Sequence, residues 1–324
     1  MLTIIGSGTA ISLITSACTI SPYAAQVGTQ YISVNALNAE LHAIAGNPAF
    51  VSSLTANEKV FGNSKSTFTT QFVDQVLNMR IGLTLIENAN HKLHLRLSKT
   101  DTEIAGLTAQ QTYGGASVFA AFPSAYQKEL IADAGNIAVL ESYLTHTNIS
   151  LSSLSNYYHA NISLFTRICA AHIVVSSAQT ATTIYNQVHG GASFATLAKT
   201  QSLDPNTAPN GGYIGCGTYG NFASAFGTSF ASELVAGQQN VALQPVQITG
   251  GYSVPMVVSK TALSFSEAIP AVIGTMFGSQ GSSDLNAFVS GLAKRQNITV
   301  NPVYGTYSNA GVTSSVVPPP LPAF

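Results

Sequence analysis

CAAHIVVSSAQTATTIYNQVHGGASFATLAKTQSLDPNTAPNGGYIGCGTYGNFASAFGTSFASELVAGQQNVALQPVQITGGYSVPMVVSK, residues 169–260, is the stretch whose reading decides the fold. The apolar run over residues 168–175 is rich in β-branched side chains and too short for an ordinary helix, which predicts a buried strand. Ser177 then opens a helical pattern with Ala181, Ile184, Tyr185 and Val188 on one face, stopped by Gly190 and Gly191. A second short amphipathic helix carries Phe194, Leu197 and Ala198. Residues 204–212 hold DPN, PN and GG, the composition of a loop. Two strand-like runs, 240–249 and 252–259, are split by Gly250 and Gly251.

In that order, the pieces AAHIVV, FATLAKTQSLDP, APNGGYIG, GNFASAF and GGYSVPMVVS resemble a parvulin-type peptidyl-prolyl cis/trans isomerase (rotamase) domain. The flanking segments are similar to those of multi-domain extracytoplasmic foldases of the SurA and PrsA kind. The resemblance implies an α+β protein. A mainly helical N-terminal domain over residues 30–165 would be completed by C-terminal helices and a strand at 261–305. A parvulin domain of β-α-α-β-α-β-β order, residues 168–260, would be inserted between them.

Rotating a peptide bond faces a barrier of about 18–20 kcal/mol, and X–Pro exchange takes tens to hundreds of seconds unaided. Lowering that barrier needs no nucleophile, metal or cofactor. It needs an apolar hollow that grips the prolyl ring and polar groups better matched to the twisted amide than to the planar one. The resemblance places His172 at the histidine of the first strand and Asp204 at the acidic or cysteine position of the loop. It makes Ile214, Phe222 and Phe226 the walls of the proline hollow and Tyr252 the aromatic of the closing strand. Ser253 stands where parvulins usually carry a second histidine paired with the first. Its hydroxyl can donate and accept one bond but does not titrate near neutrality. Tyr213 replaces the acidic residue common after the double glycine. These departures predict weak or absent isomerase activity. The alternative is a non-catalytic chaperone whose helical domain forms the client groove.

Without the resemblance, the same residues read differently. His172 is a core histidine, Asp204 before a proline is a turn residue, and Phe222 and Phe226 are one helix's core face. Exposure in a groove separates the two readings.

Composition narrows the partners. Of 324 residues, 46% are hydrophobic but only 8% charged, with a formal net charge of −1. A typical chain is about 25% charged. With no basic patch to neutralise phosphates, nucleic acid is not an expected partner. Unfolded or proline-containing polypeptides are the clients implied by the resemblance.

Residues 1–39 contain no charged side chain, and 2–17 form an apolar stretch too short for a comfortable membrane span. Residues 1–29 therefore read as a leader-like segment and place the protein outside the cytoplasm. Thr15-Ser16-Ala17-Cys18 is similar to a lipoprotein cleavage box, in which Cys18 would be lipidated and anchor the chain to a membrane. An ordinary export signal, or a folded N-terminal element, fits the same residues. The resemblance sets Cys169 and Cys216 on neighbouring strands, a disulfide pair in an oxidising compartment or two small buried hydrophobes. No Cys/His spacing supports a metal.

Elsewhere the pattern is helical. Residues 34–44 read as a capped helix. Phe68, Phe72, Val76, Met79, Leu83 and Ile86 recur on one stripe of a long helix. Thr100 and Glu103 suggest a capping box. Further helices are predicted from Ser124, over 150–159, over 264–276 and over 284–294, with a strand at 297–300. Residues 306–324 read as a loose Pro-rich tail.

Overall fold

The computed structural model describes residues 23–54, 59–64, 67–309 and 315–319. The chain begins with β1 (Tyr23–Val27), β2 (Gln30–Ser33), α1 (Val34–Ala45), α2 (Pro48–Ser53) and α3 (Thr70–Lys92). It continues through α4 (Lys99–Thr112), α5 (Ala116–Ala120), α6 (Ser124–Thr145), α7 (Leu151–Ala160) and a 3-10 turn, Ile162–Phe165. Then come β3 (Thr166–Val175), α8 (Ala178–His189), α9 (Phe194–Gln201), β4 (Tyr213–Gly217), α10 (Tyr219–Phe226), α11 (Thr228–Ala236), β5 (Val246–Ile248) and β6 (Gly251–Ala262). It closes with α12 (Phe265–Arg295), β7 (Ile298–Val300), β8 (Thr306–Ser308) and β9 (Ser315–Val317). The fold class is α+β, as expected. Cys18 and the run before Tyr23 lie outside the described residues. Residues 23–27, expected within the leader, form a strand.

Two compact units emerge, Met1–Leu85 with Val289–Phe324, and Ile86–Phe288. They cut the chain at points other than the limits of 165/168 and 260/261 drawn from the sequence. In the first unit β1 is the middle strand of an antiparallel sheet of order β2-β1-β7, with Ala25 opposite both Ile32 and Val300. Ser33 caps α1 by accepting from the Ala36 N–H at 3.0 Å. Leu37, Leu41, Leu77 and Ile81 are fully buried. The buried Glu40 accepts from Arg80 Nε at 2.9 Å, so neither charge is left alone. β8 and β9 pair, and the Val316 N–H donates to Asn78 Oδ1 at 2.7 Å. That part of the tail is therefore ordered strand, not loose chain.

In the second unit α4 is capped two residues earlier than expected. Ser98 Oγ accepts from the Asp101 N–H at 3.1 Å and Asp101 Oδ2 from the Ser98 N–H at 2.8 Å. Ser98 has the extended backbone a cap needs, whereas Thr100 is already helical. α7, the 3-10 turn and the first half of α12 share an apolar core through Leu154, Tyr158, Phe165, Ala268 and Val272. This shared core is why residues 151–165 cluster with the sheet's flank. α12 breaks at Gly278, φ 63 and ψ −168, so its second half starts earlier than residue 284.

The second sheet runs β4-β3-β6-β5, all antiparallel. Two elements differ from expectation. Gly227, at φ 96, ends α10 and lets a further helix, α11, begin, giving β-α-α-β-α-α-β-β. The run 240–249 yields strand only at Val246–Ile248. Asn240 is left-handed at φ 62, and Pro245 has no N–H for a ladder.

Alternation along β3 and β6 sorts their residues between two faces. Ala171, Ile173, Val175 and Val254 pack with Ala181, Ile184, Phe194 and Ala198 of α8 and α9. Ile168, Ala170 and Val257 pack with Phe222, Phe230, Ala231 and Leu234 of α10 and α11. His172 and Ser253 belong to this second face.

Candidate functional site

His172 sits mid-strand on β3, opposite Pro255 of β6, and is 2% exposed. The loop after α9 folds over it. Gly212 makes this possible: its carbonyl accepts from the His172 N–H at 2.8 Å, and a Cβ there would lie 2.2 Å from the His172 carbonyl oxygen. Gly211 and Gly212 both hold positive φ, 69 and 82, which is why the pair reads GG.

The loop delivers Asp204 to the ring. His172 Nε2 lies 2.9 Å from Asp204 Oδ2 and 3.2 Å from Thr207 Oγ1. The Thr207 hydroxyl donates to the same carboxylate oxygen at 2.6 Å, and the Asn206 N–H donates to Asp204 Oδ1 at 3.0 Å. Burial by itself would raise the Asp204 carboxyl. The Thr207 hydroxyl, the His172 ring and the Asn206 N–H together hold it below the usual range. Burial pushes the His172 imidazole below its ordinary value, against the pull of Asp204. At neutral pH the pair is therefore a neutral imidazole donating Nε2–H to an ionised carboxylate. Nδ1 is then a bare acceptor.

Among the described residues that acceptor has no partner. Nor has the Ser253 hydroxyl, which is fully buried. Ser253 opposes Val174, so the two polar atoms share a face of adjacent strands, offset along the ladder. A serine side chain at this register leaves His172 Nδ1 unsatisfied, where the resemblance expects a paired second histidine.

Aromatic rings close the other side. The His172 ring stands edge-on to Phe226 at 5.4 Å and to Phe230 at 6.3 Å between centroids. Phe226 and Phe230 lie 4.8 Å apart. Phe222, expected as a wall of the hollow, is only 5% exposed and belongs to the core beneath it. Phe226 and Ile214 are half-buried and border the same cluster. Tyr252 is not brought to the site. It packs on the opposite face with the α8 and α9 cluster, because neighbouring residues of a strand point to opposite sides. Tyr213 is exposed, its hydroxyl 3.2 Å from Cys216 Sγ.

Cys169 and Cys216 face one another across β3 and β4 and form a disulfide. It ties the edge strand bearing Ile214 to the strand bearing His172. The bond spans a sequence separation of 47 residues, and restricting the unfolded chain over such a loop contributes about 4 kcal/mol in the chain-entropy account. Among the described residues no cluster of His, Cys, Asp and Glu is arranged to hold a metal. No helix there is long and apolar enough to cross a membrane.

Thr207 and Phe230 are the site residues that sequence reading missed. Thr207 lies three residues after Asp204 in DPNT, the spacing at which a hydroxyl meets a turn carboxylate. Phe230 continues the four-residue spacing of Phe222 and Phe226, a signal hidden by the intervening Gly227.

The chain is similar to known proteins over part of its length. Residues 175–259 match the rotamase family described as the PPIC-type PPIASE domain. The chain is 29% identical over 137 residues to the foldase protein PrsA of Lacticaseibacillus paracasei, covering 41% of this chain and 45% of that protein. It is 34% identical over 94 residues to the periplasmic chaperone PpiD of Haemophilus influenzae, covering 29% of this chain and 14% of that one. The chain thus spans less than half the length of these curated relatives. A solved structure of foldase protein PrsA from Streptococcus pneumoniae aligns at TM-score 0.39 and 14% identity, over 82% of this chain and 91% of that one.

Proposed function

Taking residues 175–259 as a parvulin-type rotamase domain, we propose that the chain is an extracytoplasmic foldase that binds unfolded polypeptides and accelerates their X–Pro isomerisation. One observation carries the reading: the His172–Asp204–Thr207 triangle stands beside Phe226 at the half-buried rim formed with Ile214. The prolyl ring of a client lies against Phe226 and Ile214, with Phe222 and Phe230 as the floor. The apolar rim strips water from the amide, which favours the twisted state over the more polar planar one. The neutral, carboxylate-anchored imidazole gives that state a fixed dipole that needs no reorganisation. His172, Asp204 and Ser253 are the polar groups of this site. The relatives' names as foldase and periplasmic chaperone support a location outside the cytoplasm.

A second reading is favoured by the unpartnered His172 Nδ1 and Ser253 Oγ. With half of the polar network missing, the domain binds clients without speeding exchange. Cis/trans exchange of a proline-containing tetrapeptide separates the two. Catalysis above background, lost in His172→Ala, supports the isomerase. Background exchange alongside retained suppression of client aggregation supports the binding module.

A further inference from the structure

The strand that carries Ile214 is weak by itself. β4 lies at the edge of its sheet and pairs with β3 alone. Two of its five residues, Gly215 and Gly217, bring no side chain to pack. The pairing passes from Ala170↔Gly215 to Ala171↔Tyr213, so Ile214 stands in a bulge with no residue opposite it. The Cys169–Cys216 bond, set directly across the ladder, fastens this strand to β3.

That bond is open to solvent. Cys216 is exposed and Cys169 half-buried. Ile168 and Ala170 both face α10 and α11, so Cys169 between them faces the other way. A reagent therefore reaches the disulfide without entering the prolyl hollow. Tyr213, itself exposed, sets its hydroxyl 3.2 Å from Cys216 Sγ, close enough to donate to sulfur. An acidic residue at this position, which the resemblance expects, would repel a thiolate. A phenol hydroxyl stabilises one by donating to it.

We propose that Cys169–Cys216 is a reducible latch on the rim of the rotamase site, opened by a dithiol with the help of Tyr213. One thiolate of the dithiol attacks the exposed Cys216 Sγ. The electron pair of the S–S bond leaves on Cys169 Sγ, which takes up a proton. The second thiolate then attacks the dithiol sulfur now bonded to Cys216 and expels Cys216 Sγ as a thiolate. The Tyr213 hydroxyl donates to that thiolate until it is protonated in turn. Two electrons and two protons pass to the protein, and the dithiol leaves as a disulfide. Reduction frees β4 and with it the Ile214 side of the prolyl hollow. Asp204 stays beside His172, because the loop is tied to β3 independently: Leu203 N–H donates to Val174 O at 2.8 Å, and Ser202 Oγ accepts the Val174 N–H at 3.1 Å. The latch thus acts on the apolar grip and not on the polar triangle. What it controls rests on the rotamase reading; the release of β4 does not.

The test uses the full chain, oxidised or reduced with dithiothreitol. On reduction the amides of residues 214–217 are expected to exchange at least tenfold faster, while those of β6 and the His172 ring titration stay as they were. A proline-containing peptide is expected to bind the reduced chain fivefold or more weakly. Tyr213→Phe is expected to slow reduction by dithiothreitol threefold or more, with released thiols counted by a chromogenic reagent. Unchanged β4 exchange overturns the inference. Faster exchange throughout the sheet also overturns it, because the bond then holds the whole domain and not its edge. Tyr213→Phe reduced at the unaltered rate overturns the part given to Tyr213. Equal peptide binding in both states, with β4 loosened, overturns control of the site. A peptide that binds neither state removes the rotamase reading instead, and amide exchange still decides the latch.

Discussion

His172 Nε2 is held 2.9 Å from Asp204 Oδ2, and the same oxygen accepts the Thr207 hydroxyl at 2.6 Å. Asp204 is the group that lifts the His172 pKa against the burial that lowers it. In Asp204→Asn the carboxylate is gone and the His172 titration moves further below its ordinary value. Proton NMR of the ring checks this. Isomerase activity, where present, falls about a hundredfold, the low end for a positioned polar group. A His172 titration that rises in this variant contradicts the geometry.

Acid weakens the same site. His172 has a folded pKa below its unfolded value, so it contributes most when neutral and loses stability as pH falls below about 6.5. Asp204, also depressed, loses its contribution at lower pH still, as it protonates. Backbone exchange of β3 amides is expected to quicken between pH 7 and 5. Exchange independent of pH, after correction for intrinsic rates, contradicts this.

Ser253→Ala removes a buried hydroxyl that has no partner. Leaving such a group unpaired costs on the order of 1 kcal/mol or more, so the variant is expected to melt higher. A clear fall in melting temperature means that the hydroxyl has a partner in solution.

Gly212→Ala puts a Cβ 2.2 Å from the His172 carbonyl oxygen at a positive φ. Backbone must move, and the loss is expected to exceed about 3 kcal/mol. Chemical denaturation reads this directly. The neighbouring Gly215→Ala has a similarly positive φ but meets no atom within 4 Å, and costs less.

Asp74 in the first unit is buried, with Oδ1 unpartnered, and burial raises its pKa from 3.8 to about 6. A carboxylic acid with a raised folded pKa destabilises when ionised. Its penalty is absent below pH 3.8 and complete above about pH 6, reaching at most about 3 kcal/mol at 1.36 kcal/mol per unit. Asp74→Asn is expected to stabilise the chain at pH 7 and to have little effect near pH 4. Urea titrations at both pH values measure the difference.

Much of the rotamase segment was legible from local rules. β-branched residues at 168–175 gave a strand, Ser177 and Gly190 bracketed a helix, and the double glycine marked a loop. Those are short-range steric facts, carried by a few neighbouring residues. The disulfide partners followed only through the family likeness, because pairing distant segments depends on topology. Some readings went astray. The Ser98 cap was hidden because Thr100 and Glu103 offered the same residue types two positions on. Tyr252 was assigned to the site because a linear motif does not state which way each strand residue points. Phe222 was assigned to an open wall because a stripe of aromatics looks alike whether it meets solvent or core.

The first strand of the segment, the two helices after it and the glycine-rich loop were fixed by residue type and spacing alone, since backbone sterics and side-chain period act within a few residues. Whether His172 reaches Asp204, whether Ser253 reaches His172, and which rings meet solvent were decided by how the loop, two helices and two strand faces come together. Those outcomes depend on ångström-scale distances between residues far apart in the chain, and no local rule encodes them.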